Sequence, residues 1–115
     1  MACPFCARIV SHAYDAGDEW AVTFEPLNPV VPGHRLFVSR GHAASALEFP
    51  EVTGHVMEYA ARWADGHNVH PCNLITSCGG AATQTVFHLH IHLVPRREGD
   101  GLHLPWTGQQ RGEVP

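Results

Sequence analysis

Three histidines, His88, His90 and His92, alternate with apolar residues in FHLHIHLV near the end of the chain. An imidazole with its ordinary pKa of about 6.5 can serve near neutral pH as nucleophile, proton donor or metal ligand. In an extended strand successive side chains leave opposite faces, and every second one returns to the same face about 7 Å further on. The three rings are therefore expected on one face, with Phe87, Leu89, Ile91 and Leu93 on the other. Crowding on one face opposes protonation, so the set stays largely neutral near pH 7, the state that both a nucleophile and a metal ligand need. One histidine on a half-exposed sheet is an ordinary surface residue, whereas three in strict alternation line a cleft.

A second chemical signal is CPFC at the start of the chain, which places Cys3 and Cys6 two residues apart. Redox pairs share that spacing, and a metal reading needs two further ligands to close a tetrahedral site. No charged leader precedes an apolar core, and no stretch approaches the roughly 20 apolar residues of a membrane span. The expectation is a cytoplasmic protein without membrane contact, in which thiols stay reduced and the pair reads as ligands. His67, His70 and Cys72 form a rival cluster, though their loop setting makes them ordinary solvent-exposed residues.

The elements that must position these groups can be read in outline. Residues 5–10 hold a short helical turn, and residues 12–19 a polar connection. WAVTFE (residues 20–25) alternates as a strand, PLNPVVPG is a turn-forming link, and HRLFVSRGH is a second strand broken at Gly41. Val52, Val56, Tyr59, Ala60 and Trp63 recur at helical spacing between Pro50 and Asp65, with Gly66 as the stop. NLITS (residues 73–77) is a third strand, CGGAATQ a loop, and residues 85–94 the longest strand, closed by Pro95. Strands around one principal helix make an α+β domain with an antiparallel sheet. The chain of 115 residues is expected to form one domain over 1–115, with 96–115 an irregular tail whose Leu102, Leu104 and Trp106 pack back.

Composition narrows the partners. The net charge is −4, all seven cations are arginine, and the ten histidines outnumber them. No basic stripe exists to neutralise a nucleic-acid backbone, which excludes a general nucleic-acid binder; any nucleotide recognised is small and held in a pocket.

FHLHIHLVPR, the preceding TQTV, NPVVPGHRLFVSRGH and CPFC together resemble the histidine triad superfamily, and CPFC resembles the cysteine pair of its zinc-containing members. The resemblance implies a sheet of about five strands against one principal helix, and a hydrolase or transferase acting at the α-phosphate of a nucleotide derivative. It makes His90 the nucleophile that forms a nucleotidyl-histidine intermediate, His92 the donor to the phosphate oxygens, and His34 the residue that holds the triad. The substrate contacts it implies are Ser77, Gly79, Gly80, Gln84 and Thr85, with Gln84 near the leaving group. The metal ligands it implies are Cys3, Cys6, His42 and His88 around a structural zinc, and the assembly a homodimer sharing the helix and an edge strand. Three positions depart from the family pattern. Pro26 stands where relatives bind the ribose hydroxyls, leaving Glu25 or Asn28 to substitute; Ser77 replaces an asparagine; Thr83 replaces a glycine.

Two other readings use the same residues. One keeps the fold as a zinc-stapled nucleotide-binding module without turnover. The other is a cupin-like metal oxygenase, whose His-x-His strand is followed by a glutamate; here the nearest, Glu98, lies past Pro95 and off the strand.

Overall fold

The structure, a computed structural model, describes residues 2–107. Its elements in chain order are α1 (Pro4–Val10), β1 (Ala16–Gly17), β2 (Ala21–Phe24), β3 (Arg35–Ser39), α2 (Pro50–Gly66), β4 (Cys72–Ile75), one 3₁₀ turn (Gly80–Ala82) and β5 (His90–Pro95). The strands form a single sheet in the order β1-β2-β3-β5-β4, and every neighbouring pair is antiparallel. This is the expected α+β fold. None of the described helices is long and apolar enough to cross a membrane.

Strand alternation sorts the sheet into two layers. Ala21, Phe37, Leu89, Ile91 and Leu93 are buried under α2, against Val56, Ala60 and Ala64. Those three residues lie at four-residue spacing, so one stripe of α2 faces the sheet. Tyr59 and Trp63 add edge-on contacts to the Phe37 ring at 5.7 and 6.0 Å between centroids. Pro50 in the first turn, with Glu51 beside it, starts α2 where a missing N–H is harmless and a negative charge is favoured.

The opposite layer is smaller. Phe5 of α1 packs with Val22, Phe24, Leu36 and Val38. The register carries these residues in rows across the sheet: Phe24 lies opposite Leu36 and Leu36 opposite His92, while Val22 lies opposite Val38 and Val38 opposite His90. The imidazoles thus share their face with α1 and a strip of apolar side chains.

The long strand expected over residues 85–94 is shorter than its alternation suggests. It begins at His90, and Phe87, expected on the apolar face, is 54% exposed. The cause is the partner strand: β3 ends at Ser39, so Leu89 takes its hydrogen bonds from the turn beyond, accepting from Ser39 N and donating to Ala43 O. Nothing remains further back for a ladder to pair with. The strand expected over 73–77 likewise stops at Ile75, and the connection after α1 contains the two-residue β1.

Beyond β5, Arg96 clamps the chain. Its guanidinium bonds both carboxylate oxygens of Asp100, at 2.7 and 3.1 Å, and Oδ1 of Asn73 at 2.6 Å. Residues 96–107 contain no helix or strand; Leu102 and Leu104 are half-buried, but Trp106 is 76% exposed and does not pack back. The rest of the expected tail, 108–115, lies outside the described residues.

Candidate active site and metal centre

β5 sets out the reactive face. His90 and His92 are half-buried with ring centroids 5.2 Å apart, while Ile91 and Leu93 between and beyond them sit in the α2 layer. His34 reaches them from the end of the turn before β3. Gly33 makes that turn possible: its φ of +88° is one that residues with a Cβ resist, and a Cβ there would lie 3.1 Å from the Pro95 ring.

Hydrogen bonds assign the protons of the neutral rings. Nδ1 of His90 lies 2.7 Å from the carbonyl oxygen of His88; a carbonyl only accepts, so Nδ1 carries the hydrogen and Nε2 the lone pair. The second chain of bonds starts from a backbone amide. Val30 N–H donates to Nδ1 of His34 at 3.1 Å, which places that ring's hydrogen on Nε2. His34 Nε2 then donates to His92 Nδ1 at 2.9 Å, so His92 carries its own hydrogen on Nε2. Adjacent imidazoles on one strand are thus set in opposite tautomers, one ending in a lone pair and the other in an N–H.

Burial keeps these rings neutral. It lowers the pKa of His34 and, above the opposing effect of the His88 carbonyl, that of His90. His92 falls to about 4, chiefly through burial, with repulsion from His90 and His34 adding to it.

Cys3, Cys6, His42 and His88 gather at the other end of the row, one ligand atom from each lying within 4.8 Å of all the others. His88 is fully buried and its Nε2 donates to the Ser39 carbonyl at 2.7 Å, so its Nδ1 presents a lone pair to Cys3 Sγ at 3.2 Å and Cys6 Sγ at 3.5 Å. His42 Nδ1 lies 3.4 Å from Cys6 Sγ. A tetrahedral zinc, with bonds of about 2.3 Å to sulfur and 2.0–2.1 Å to nitrogen, separates its donors by about 3.5 Å, so the donor set and its edges fit that ion. Burial pushes the Cys6 thiol up, and neighbouring Cys3 pushes it further. The rival residues His67, His70 and Cys72 do not form such a group among the described residues; His67 stacks on Trp63 at 4.0 Å. Glu98 is exposed and belongs to no metal cluster among them either.

The loop between β4 and β5 leaves beside β5, where the Thr76 hydroxyl donates to the His90 carbonyl at 2.7 Å. Gly79 has φ +96° and Thr83 φ +72°, the latter a left-handed conformation that a β-branched residue resists and a glycine accepts. Gln84 is 4% exposed and works as a strut: its Oε1 accepts the Gly79 N–H at 2.8 Å and its Nε2 donates to Ala44 O at 2.7 Å and Val86 O at 3.1 Å. The Gly79 amide and the Gln84 side chain thus tie the loop to itself and to the segment after β3, a bracing use that sequence reasoning did not foresee. Ser77 is half-buried, Gly80 and Asn28 are exposed, and exposed Thr85 lines a 290 Å³ cavity with Cys3 and His42 beside the metal cluster.

Sequence reasoning also missed the backbone groups that set the ring protons, the Val30 amide and the Ser39 and His88 carbonyls, and the ring contact of Phe5 with His90. Backbone groups leave no trace in residue type. Phe5 left one signal, its place between two candidate ligands.

Known proteins resemble this chain in sequence and in fold. Residues 16–99 match the family model described as the HIT domain. An adenosine 5'-monophosphoramidase of Saccharomyces cerevisiae is 31% identical over 114 residues, covering 95% of this chain and 72% of that protein. An adenylylsulfatase of Arabidopsis thaliana is 29% identical over 97 residues, covering 74% of this chain and 46% of that protein. Among solved structures, a zinc-bound histidine triad family protein from Mycobacterium smegmatis superposes with a TM-score of 0.79 at 32% identity, covering 90% of this chain and 81% of that one. With His90 and His92 on β5, His88 just before it, and the family match over most of its length, the chain belongs to the histidine triad family.

Proposed function

We propose that the protein is a nucleotidyl hydrolase or transferase that acts at the α-phosphate of a nucleotide derivative through an intermediate on His90. The observation that carries this reading is the pair of opposite tautomers. His90 Nδ1–H is held by the His88 carbonyl, leaving Nε2 as a lone pair for attack, while the next ring along the face offers an N–H. In the first step Nε2 of His90 attacks phosphorus, the P–N bond forms, and the bond to the leaving group breaks with its electron pair. His92 Nε2–H stabilises the phosphate oxygens as charge gathers on them, and His34 holds His92 in that tautomer. In the second step the oxygen of water or another acceptor attacks phosphorus, and the electron pair of the P–N bond returns to His90. Relatives named as a monophosphoramidase and an adenylylsulfatase support a phosphoramidate or a mixed anhydride as substrate, and a dinucleoside polyphosphate offers the same α-phosphorus to attack.

Cys3, Cys6, His42 and His88 would hold a zinc ion whose contribution is structural, tying the first turn of α1 to the sheet beside the triad. Ser77, Gly80 and Thr85 supply the remaining polar groups for the phosphate and leaving group, and Asn28 is the candidate for the ribose. Two copies pair as a homodimer through α2 and β4, the edge strand on that side of the sheet.

Intact-mass measurement after mixing with adenosine phosphoramidate and a panel of dinucleoside polyphosphates tests the chemistry. A nucleotidyl adduct and released nucleoside monophosphate, both absent in His90→Ala, are the expected result. Binding without adduct or release would instead identify a nucleotide-binding module.

A further inference from the structure

We infer that Phe5 is a positioning residue for His90, and that the Cys3–Cys6–His42–His88 centre reaches the reaction through it. The inference rests on His90 being the nucleophile, as proposed above.

Among the described residues the His90 ring makes one hydrogen bond, from Nδ1 to the His88 carbonyl, and a single bond leaves the ring free to swing about that contact. Two ring contacts remove the freedom. His92 lies on one side at 5.2 Å, and Phe5 approaches edge-on at 5.1 Å with an interplanar angle of 86°. Phe5 is 9% exposed and also meets the ring of His88 at 5.9 Å and that of Phe24 at 5.6 Å. It therefore touches a metal-site imidazole and the nucleophile at once. Edge-to-face contacts of this kind hold ring orientation as well as burying surface.

Phe5 in turn depends on the centre. It stands between Cys3 and Cys6 in the first turn of a helix of seven residues. A helix that short does not hold together by itself in water. What anchors its start is the cysteine pair, through Cys3 Sγ, which accepts the Cys6 N–H at 3.4 Å, and through both sulfurs facing His88 and His42. Freeing the two sulfurs releases the turn that carries Phe5, and with it the wall behind His90. The metal centre thus orients the nucleophile without touching substrate.

The test follows the imidazole nitrogens of His90 by ¹⁵N–¹H correlation, alongside the rate of adduct formation with adenosine phosphoramidate. The variants are Phe5→Ala, Phe5→Leu and, as a control in the opposite layer, Val56→Ala. In zinc-loaded Phe5→Ala the single His90 tautomer gives way to a mixture and adduct formation slows roughly 10- to 100-fold, the scale of a small misplacement, while KM changes little. Phe5→Leu falls between that variant and wild type. Wild type stripped of zinc shows the His90 pattern of Phe5→Ala, and Val56→Ala lowers the melting temperature with the pattern intact. An unchanged tautomer and adduct rate in Phe5→Ala, or in Phe5→Leu if the alanine variant does not fold, overturns the role of Phe5. An unchanged His90 pattern in the stripped protein overturns the link to the metal centre. Should wild type form no adduct with any nucleotide derivative, the nucleotidyl-transfer reading fails, and the imidazole pattern still decides this inference separately.

Discussion

His34 donates to His92, and in the proposed mechanism His92 donates to the phosphate, so removing either has a distinct cost. His92→Ala deletes the N–H offered to the phosphate and is expected to lower kcat about 10²–10³-fold, the usual loss for one donor to a developing charge. His34→Ala leaves His92 in place but frees its tautomer, so single-turnover rates fall by less than in His92→Ala. Should the two variants lose equal rate, His34 itself would have to touch the substrate. The same residues make stability depend on pH. His92 titrates near 4 in the folded protein against an ordinary value of 6.5. Between those values the unfolded chain takes up a proton that the folded one refuses, so its contribution to stability is complete above 6.5 and is lost as pH falls towards 4. Melting temperature should therefore drop on acidification through this window, and less steeply in His92→Gln. Thr83 offers a gain in place of a loss. Its φ of +72° suits glycine, so Thr83→Gly is expected to stabilise by up to about 1 kcal/mol in chemical denaturation.

At the level of elements the two sides of the sheet have different supports. The α2 layer is held by ordinary apolar packing, and Phe37→Ala, which empties a fully buried ring site against Tyr59 and Trp63, should cost about 3–5 kcal/mol. The α1 layer is a smaller apolar cluster around Phe5, with the cysteine pair at the start of the helix. Removing zinc with a strong chelator is expected to lower the melting temperature markedly, because metal bound only by the folded state stabilises it by mass action. An unchanged melt with no zinc bound would sink the structural role of the metal. Much of this arrangement was legible in the sequence, since FHLHIHLV announces two faces and the α2 stripe announces what covers one of them. The true start of β5 was not, because alternation continues back to Phe87 whether or not a partner strand is there to pair with. The cysteines and histidines of the metal cluster could be named from residue type and resemblance. The amide and carbonyl groups that choose each tautomer could not, since every residue but proline carries both. Gln84 shows the limit from the other side: the resemblance implied a place near the leaving group, while nothing in residue type announced the three hydrogen bonds by which it braces the loop.

For the whole molecule, charge tells how a nucleotide would be recognised. The chain carries a net −4, and its reactive face presents neutral imidazoles in place of lysine or arginine clusters. Oriented N–H groups, and not a long-range positive field, then hold the phosphate. KM for an anionic nucleotide derivative should accordingly change by less than about twofold between low and high salt, where screening lengths shrink from about 30 to 3 Å. A steep loss of affinity with salt would point to cations in the site. The proposed homodimer is tested by sedimentation, which should give twice the monomer mass. β5 also bears on how such a molecule can diversify. Every second residue of the strand belongs to the dry layer and the others to the imidazole row, so inserting one residue would exchange the rows wholesale. The strand is closed to changes of length. The segment from Gly80 to Thr83 lies outside the ladder and between the braced Gly79 and Gln84, so a change of length there would leave the row of imidazoles in place.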